Sequence, residues 1–120
     1  MQLNKIKLTK ESSDRLKQLK AKTGLTPNIL SRIGFCLSLS DPTIPNPEDY
    51  PEEDREFSRY TLLGEWDALY VALLRQRILT DKIGDELQEE DVFRAHINRG
   101  VMALSRQVKS IADLAILASG

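Results

Sequence analysis

The sequence offers little to do chemistry with. It has one cysteine and one histidine in 120 residues. A single cysteine excludes an internal disulfide and a cysteine-only zinc site within one chain, and it fits a reducing compartment. Its flanks, Phe35 and Leu37, predict that Cys36 is buried and inert; a sulfur-carrying thiol needs a basic, exposed setting. His96 stands beside Ile97 without the partners that a general base or a metal site requires, so it reads as a structural or surface residue. Glu65 and Asp67 are two positions apart on a helix, about 200° around its axis, and cannot act as a carboxylate pair. A solvated face or an ion pair between subunits is their expected role. No glycine-rich phosphate loop is present, and no cofactor is expected. No window is apolar for long enough to span a bilayer, and Met1 to Lys10 lacks the apolar run of a secretory leader. The expected location is the cytoplasm, with no membrane partner.

What is present is an ordinary globular composition, 41% hydrophobic and 29% charged. It suffices for one domain over residues 1–120. The net charge of −1 conceals a strong asymmetry. Residues 1–40 carry eight Lys or Arg against two acids, a charge of +6. Residues 41–60 carry two against seven, and residues 61–120 seven against nine, charges of −5 and −2. A basic third followed by an acidic patch points to a polyanionic partner for the first. The acidic patch could shield that surface, pair with it in a neighbouring subunit, or keep a loop solvated.

Hydrophobic periodicity divides the chain. Leu3 to Leu8 alternates as a strand, and Thr9 is a good N-cap for a helix over about Lys10 to Lys22. That helix has only Leu16 and Leu19 as its apolar stripe, so its whole exposed side is expected to be basic. Thr23-Gly24 ends it, and Thr26-Pro27 caps and starts a second helix to about Leu39. This one is apolar on most sides and is expected to be the most buried element, with Gly34 allowing another helix to approach. Four prolines and a run of acids make 41–56 an irregular connector, the natural place for a hinge. The C-terminal part, 57–120, carries two longer amphipathic helices. One runs from Phe57 to about Leu79 through Trp66, Tyr70, Leu73 and Leu74, with Trp66 and Tyr70 as core or oligomer contacts rather than a base-stacking platform. The other runs from about Gln88 to Ala118, with Gly100 as a bend or close contact and a break between Ser105 and Ser110. The fold class is mainly α: a short N-terminal strand, a helix-turn-helix pair resembling a ribbon-helix-helix unit, and two longer helices. In such a unit the strands pair between subunits.

Lys10, Arg15, Lys17, Lys20 and Lys22 form the candidate phosphate-contacting set, with Lys5 and Lys7 next. The opening of the second helix, Thr26-Pro27-Asn28, has amides that could receive a phosphate. Two functions follow from this surface: binding of DNA, or docking on an acidic protein partner. An enzymatic role through Cys36 ranks behind both.

Three long blocks carry a family likeness. They are Thr23 to Leu39 (TGLTPNILSRIGFCLSL), Arg55 to Tyr70 (REFSRYTLLGEWDALY) and Phe93 to Val101 (FRAHINRGV). They resemble DndE, the small protein of bacterial DNA phosphorothioation clusters. The resemblance implies a non-catalytic subunit that works beside a sulfurtransferase-like protein and an ATPase, with a cysteine desulfurase upstream. It also implies a homotetramer that binds double-stranded DNA, with a preference for nicked duplex.

Overall fold

The computed structural model describes residues 3–119; Met1, Gln2 and Gly120, at the ends of the expected domain, lie outside the described residues. Its elements are β1 (Lys5–Lys7), α1 (Lys10–Thr23), α2 (Pro27–Leu39), β2 (Glu56–Ser58), α3 (Arg59–Leu63), α4 (Asp67–Thr80), α5 (Glu89–Gln107) and α6 (Ile111–Ser119). The mainly helical expectation holds.

The start of the chain folds as its local chemistry dictates. Ile6 points into the core between the outward Lys5 and Lys7. The Thr9 hydroxyl accepts from the Ser12 amide at 3.0 Å and caps α1. Gly24 closes α1 in the left-handed region at φ 77°, where its amide bonds to the Lys20 carbonyl. Pro27 opens α2 as expected, but the Thr26 side chain makes no capping hydrogen bond.

The strand does not behave as a ribbon-helix-helix strand. β1 pairs antiparallel with β2 of its own chain, with Lys5 opposite Ser58, Ile6 opposite Phe57 and Lys7 opposite Glu56. Leu8 extends this clasp through its amide to the Arg55 carbonyl at 2.8 Å. The expected single helix from Phe57 to Leu79 is therefore broken three ways. Its first residues are β2, α3 follows, and a 3-10 turn at Gly64–Trp66 leads into α4. Ser58 explains the new start, since its hydroxyl accepts from the Thr61 amide as an N-cap. Gly64, at φ 54°, explains the stop.

α2 and α5 cross at the centre of the molecule. A Cβ on Gly34 would stand 2.9 Å from the backbone carbon of Gly100, and a Cβ on Gly100 would stand 1.7 Å from the Gly34 carbonyl oxygen. The two helices touch backbone to backbone. α5, not α2, is the most buried element: Ala95, His96, Ile97 and Asn98 are buried in succession, because α1, α2 and β1 all pack on it. Phe35 of α2 stacks on Phe93 of α5 with centroids 5.0 Å apart. The break after α5 falls where expected. Val108 is extended, and the Asp113 carboxylate reaches back to the Lys109 and Ser110 amides at 2.7 and 3.2 Å, capping α6.

The connector is tied to the body of the fold at several points. Arg77 is buried beside Asp81, at 2.8 Å, and donates to the carbonyls of Leu39 and Thr43. Arg99 donates to the Ser38 and Thr43 carbonyls, and Arg94 to the Tyr50 carbonyl. At the far end the Glu53 and Asp54 amides both bond to the Leu8 carbonyl. Prolines limit the segment to a 3-10 turn at Pro47–Asp49 and a few local bonds, and three arginines satisfy carbonyls that these leave open.

Candidate nucleic-acid interface

The basic set lies on β1 and the outer side of α1. Ser12, Ser13, Leu16 and Leu19 face inward. Lys10, Lys17, Lys20 and Lys22 are exposed and Arg15 is half-buried. The two inward serines were not legible as core residues. Ser13 earns its place by donating to the Thr9 carbonyl and accepting from the Arg55 amide, both at 3.0 Å. α1 is anchored at its start by Asn98, whose side-chain oxygen accepts from the Thr9 amide at 3.1 Å. Asn98 is a positioning residue missed in the sequence, although it stands inside the Phe93–Val101 block.

The outer side of α1 is not uniformly basic, since Glu11 and Asp14 share it. Arg15 pairs with Glu11 at 3.9 Å, and Lys5 with Glu56 at 4.0 Å. Lys10, Lys17, Lys20 and Lys22 enter no ion pair among the described residues. Lys7 is half-buried and lines a small cleft with Lys5, Glu52, Glu90, Asp91 and Arg94. Lys17 lines another with Ser13, Asp54, Arg55 and Glu56. The structure thus keeps the lysines of α1 exposed but on different flanks, Lys20 and Lys22 being about 200° apart around its axis, and it sets carboxylates among the residues near β1.

The remaining candidates for chemistry are placed as follows. Cys36 is exposed, which corrects the expected burial. It sits on the rim of an apolar groove of about 820 Å³ between α2 and α6, where residues such as Ile33, Leu37 and Leu114 leave it partly uncovered. The surrounding apolar groups still push its thiol pKa up, against a smaller opposing effect of a hydrogen bond with Tyr70, so a reactive thiolate is disfavoured. Asp67 forms an ion pair with Arg59 of the same chain at 2.5 Å, and Trp66 is largely exposed while Tyr70 packs on Phe35. No group of three or more His, Cys, Asp or Glu is placed to hold a metal among the described residues.

His96 is fully buried. Ser38 Oγ accepts from Arg99 at 2.9 Å and shares a hydrogen bond of 2.8 Å with His96 Nδ1. His96 Nε2 is buried without a partner among the described residues. Burial, reinforced by Arg99 and Arg77, pushes the His96 pKa down to about 4. A neutral, sealed imidazole is a structural group. Because its folded pKa lies below the unfolded value of about 6.5, the unfolded chain binds the extra proton between those values. Stability is therefore complete above about pH 6.5 and falls by about 3 kcal/mol as the pH drops toward 4. Urea unfolding at pH 7.5 and 4.5 should show that loss, and His96→Gln should reduce the pH slope; an equal slope in the variant would refute the assignment.

The fold and this surface define a class: a small helical protein with a two-strand clasp, a buried polar centre and a charged outer helix. The chain belongs to the DndE family, matching the DNA sulphur modification protein DndE over residues 5–112. The family is involved in DNA phosphorothioation. Among solved structures, DndE from Escherichia coli B7A, involved in DNA phosphorothioation modification, is 27% identical. It superposes with a TM-score of 0.69 over 87% of this chain and 98% of that one. A DndE mutant with glycines replaced by lysines, also involved in DNA phosphorothioation, is 24% identical with a TM-score of 0.63. It covers 85% of this chain and 99% of that one, a likeness of fold alone. No curated protein matches the chain significantly. No helix among the described residues is long and apolar enough to cross a membrane.

Proposed function

We propose that this chain, acting as one DndE-type domain in the cytoplasm, is a non-catalytic DNA-binding subunit of a phosphorothioation system. It binds duplex, including nicked duplex, through Lys10, Arg15, Lys17, Lys20 and Lys22, with Lys5 and Lys7 secondary. The sulfurtransferase-like and ATPase subunits supply the chemistry. One observation carries this reading: four lysines stand exposed along one short helix and enter no ion pair among the described residues. Such groups contact backbone phosphate rather than base edges, so binding tolerates any sequence. In a salt titration, log affinity for random duplex is expected to fall linearly with log salt concentration, with a slope near −0.9 per phosphate contacted. Absence of duplex binding even at low salt would instead favour an adaptor whose basic face docks an acidic protein.

The same reading includes assembly into a homo-oligomer, with the resemblance pointing to a tetramer. Its support is apolar surface: Tyr60, Trp66 and Leu69 near α3 and α4 are at least half exposed, as are Ile111 and Ile116 of α6. A small core leaves these uncovered, and a second copy would cover them. Light scattering at micromolar concentration is expected to give a mass above that of the monomer; a monomer alone would remove this part of the proposal.

A further inference from the structure

The acidic end of the connector, Glu52 to Glu56, lies folded onto the basic surface. The amides of Glu53 and Asp54 bond to the Leu8 carbonyl at 3.2 and 2.9 Å, and the Arg55 amide bonds to Ser13 Oγ of α1. These bonds fix the backbone that carries the carboxylates. Glu53 accepts from the Lys10 amide at 3.4 Å, so a protein carboxylate occupies the positive end of α1, where an anion would otherwise be favoured. Glu56 stands 4.0 Å from Lys5. Asp54 and Glu56 share a cleft with Lys17, and Glu52 one with Lys5 and Lys7. The other end of α1 differs: Lys20 and Lys22 in its last turn have no carboxylate partner among the described residues.

We infer that Glu53, Asp54 and Glu56 are specificity-determining residues for DNA, an internal phosphate mimic that weakens the β1 end of the basic surface and biases the duplex backbone toward the last turn of α1. This rests on the DNA-binding reading above. The physical reason is direct. A phosphate approaching Lys5 or Lys10 meets a carboxylate already held there, and repulsion offsets the attraction. A phosphate approaching Lys20 or Lys22 meets no such competitor. The footprint is therefore shorter than the count of basic residues suggests.

The test neutralises the three acids with near-isosteric amides, Glu53→Gln, Asp54→Asn and Glu56→Gln, in the full chain. Binding to a random duplex is then measured across salt concentrations. A control variant, Glu65→Gln with Asp85→Asn and Glu86→Gln, changes net charge equally, and none of its residues lines either cleft. The expected result is an affinity gain on the order of tenfold over the control, with the salt slope steeper by about 1 to 2 as further phosphates are engaged. A second readout is independent of any general stiffening or loosening. Lys5→Ala with Lys10→Ala should cost less affinity in the native background than in the neutralised one, where it should cancel the gain. A gain no larger than the control's, or one that survives Lys5→Ala and Lys10→Ala, overturns the inference while leaving the DNA reading intact. Failure of the native protein and of every variant to bind duplex at low salt overturns the DNA reading, and this inference with it.

Discussion

Gly100→Ala is expected to remove about 3 kcal/mol or more of stability, enough to unfold much of the population of a marginally stable domain. The added Cβ would lie 1.7 Å from the Gly34 carbonyl oxygen and 2.2 Å from its carbon. No rotamer relieves a backbone clash of that depth. α2 and α5 must separate, and the separation spreads to the Phe35–Phe93 stack and to the Ser38–His96 hydrogen bond on the same interface. Gly34→Ala, with its nearest backbone contact at 2.9 Å, should cost less. Gly24→Ala makes a useful contrast. A Cβ there meets nothing, and only its left-handed backbone resists, at about 1 kcal/mol. Urea denaturation of the three variants should rank them in that order. A Gly100→Ala protein within about 1 kcal/mol of the native one would show that the two helices are not held at backbone contact.

Lys17→Glu combined with Lys20→Glu is expected to weaken duplex binding on the order of tenfold or more at about 0.1 M salt, and to flatten the salt slope by about 2. Both side chains are exposed and neither is in an ion pair among the described residues, so unfolding stability should stay within about 0.5 kcal/mol of native. The comparison that decides the surface is Lys5→Glu with Lys7→Glu on the same duplex. A ribbon-helix-helix protein would read bases from that strand. Here Lys7 is half-buried and Lys5 faces Glu56, so this second reversal should matter less. If the Lys5/Lys7 pair abolishes binding while the Lys17/Lys20 pair leaves it unchanged, the strand carries the contact and α1 does not.

Local rules were legible in the sequence because each depends on a few adjacent residues. Thr9 as the cap of α1, Gly24 as its stop, Pro27 as the start of α2 and the break before α6 are all decided by neighbours within one helical turn. The glycine contact was visible in outline, since Gly34 and Gly100 each interrupt an apolar helix, but not as a contact with each other. The paired identity of β1 was not legible. A three-residue strand of alternating pattern specifies which face is buried but not which strand lies beside it, and Glu56–Ser58 straddles the end of the connector and what reads as the start of a helix. Cys36 is exposed for a related reason: apolar flanks describe a helix face, and whether that face is covered depends on how closely α6 packs over it.

Adjacent residues suffice to define the helical class, the ends of α1, the start of α2, the break before α6, the family likeness, and the sorting of charge into a basic third and an acidic connector. Where that acidic connector goes is set by contacts distant in the chain. Arg77, Arg94 and Arg99, far along the chain, satisfy its carbonyls, and Leu8 receives its last amides. Charge composition is a sum along the chain, whereas the field at Lys10 or Lys20 depends on which carboxylates the fold brings within a few ångströms.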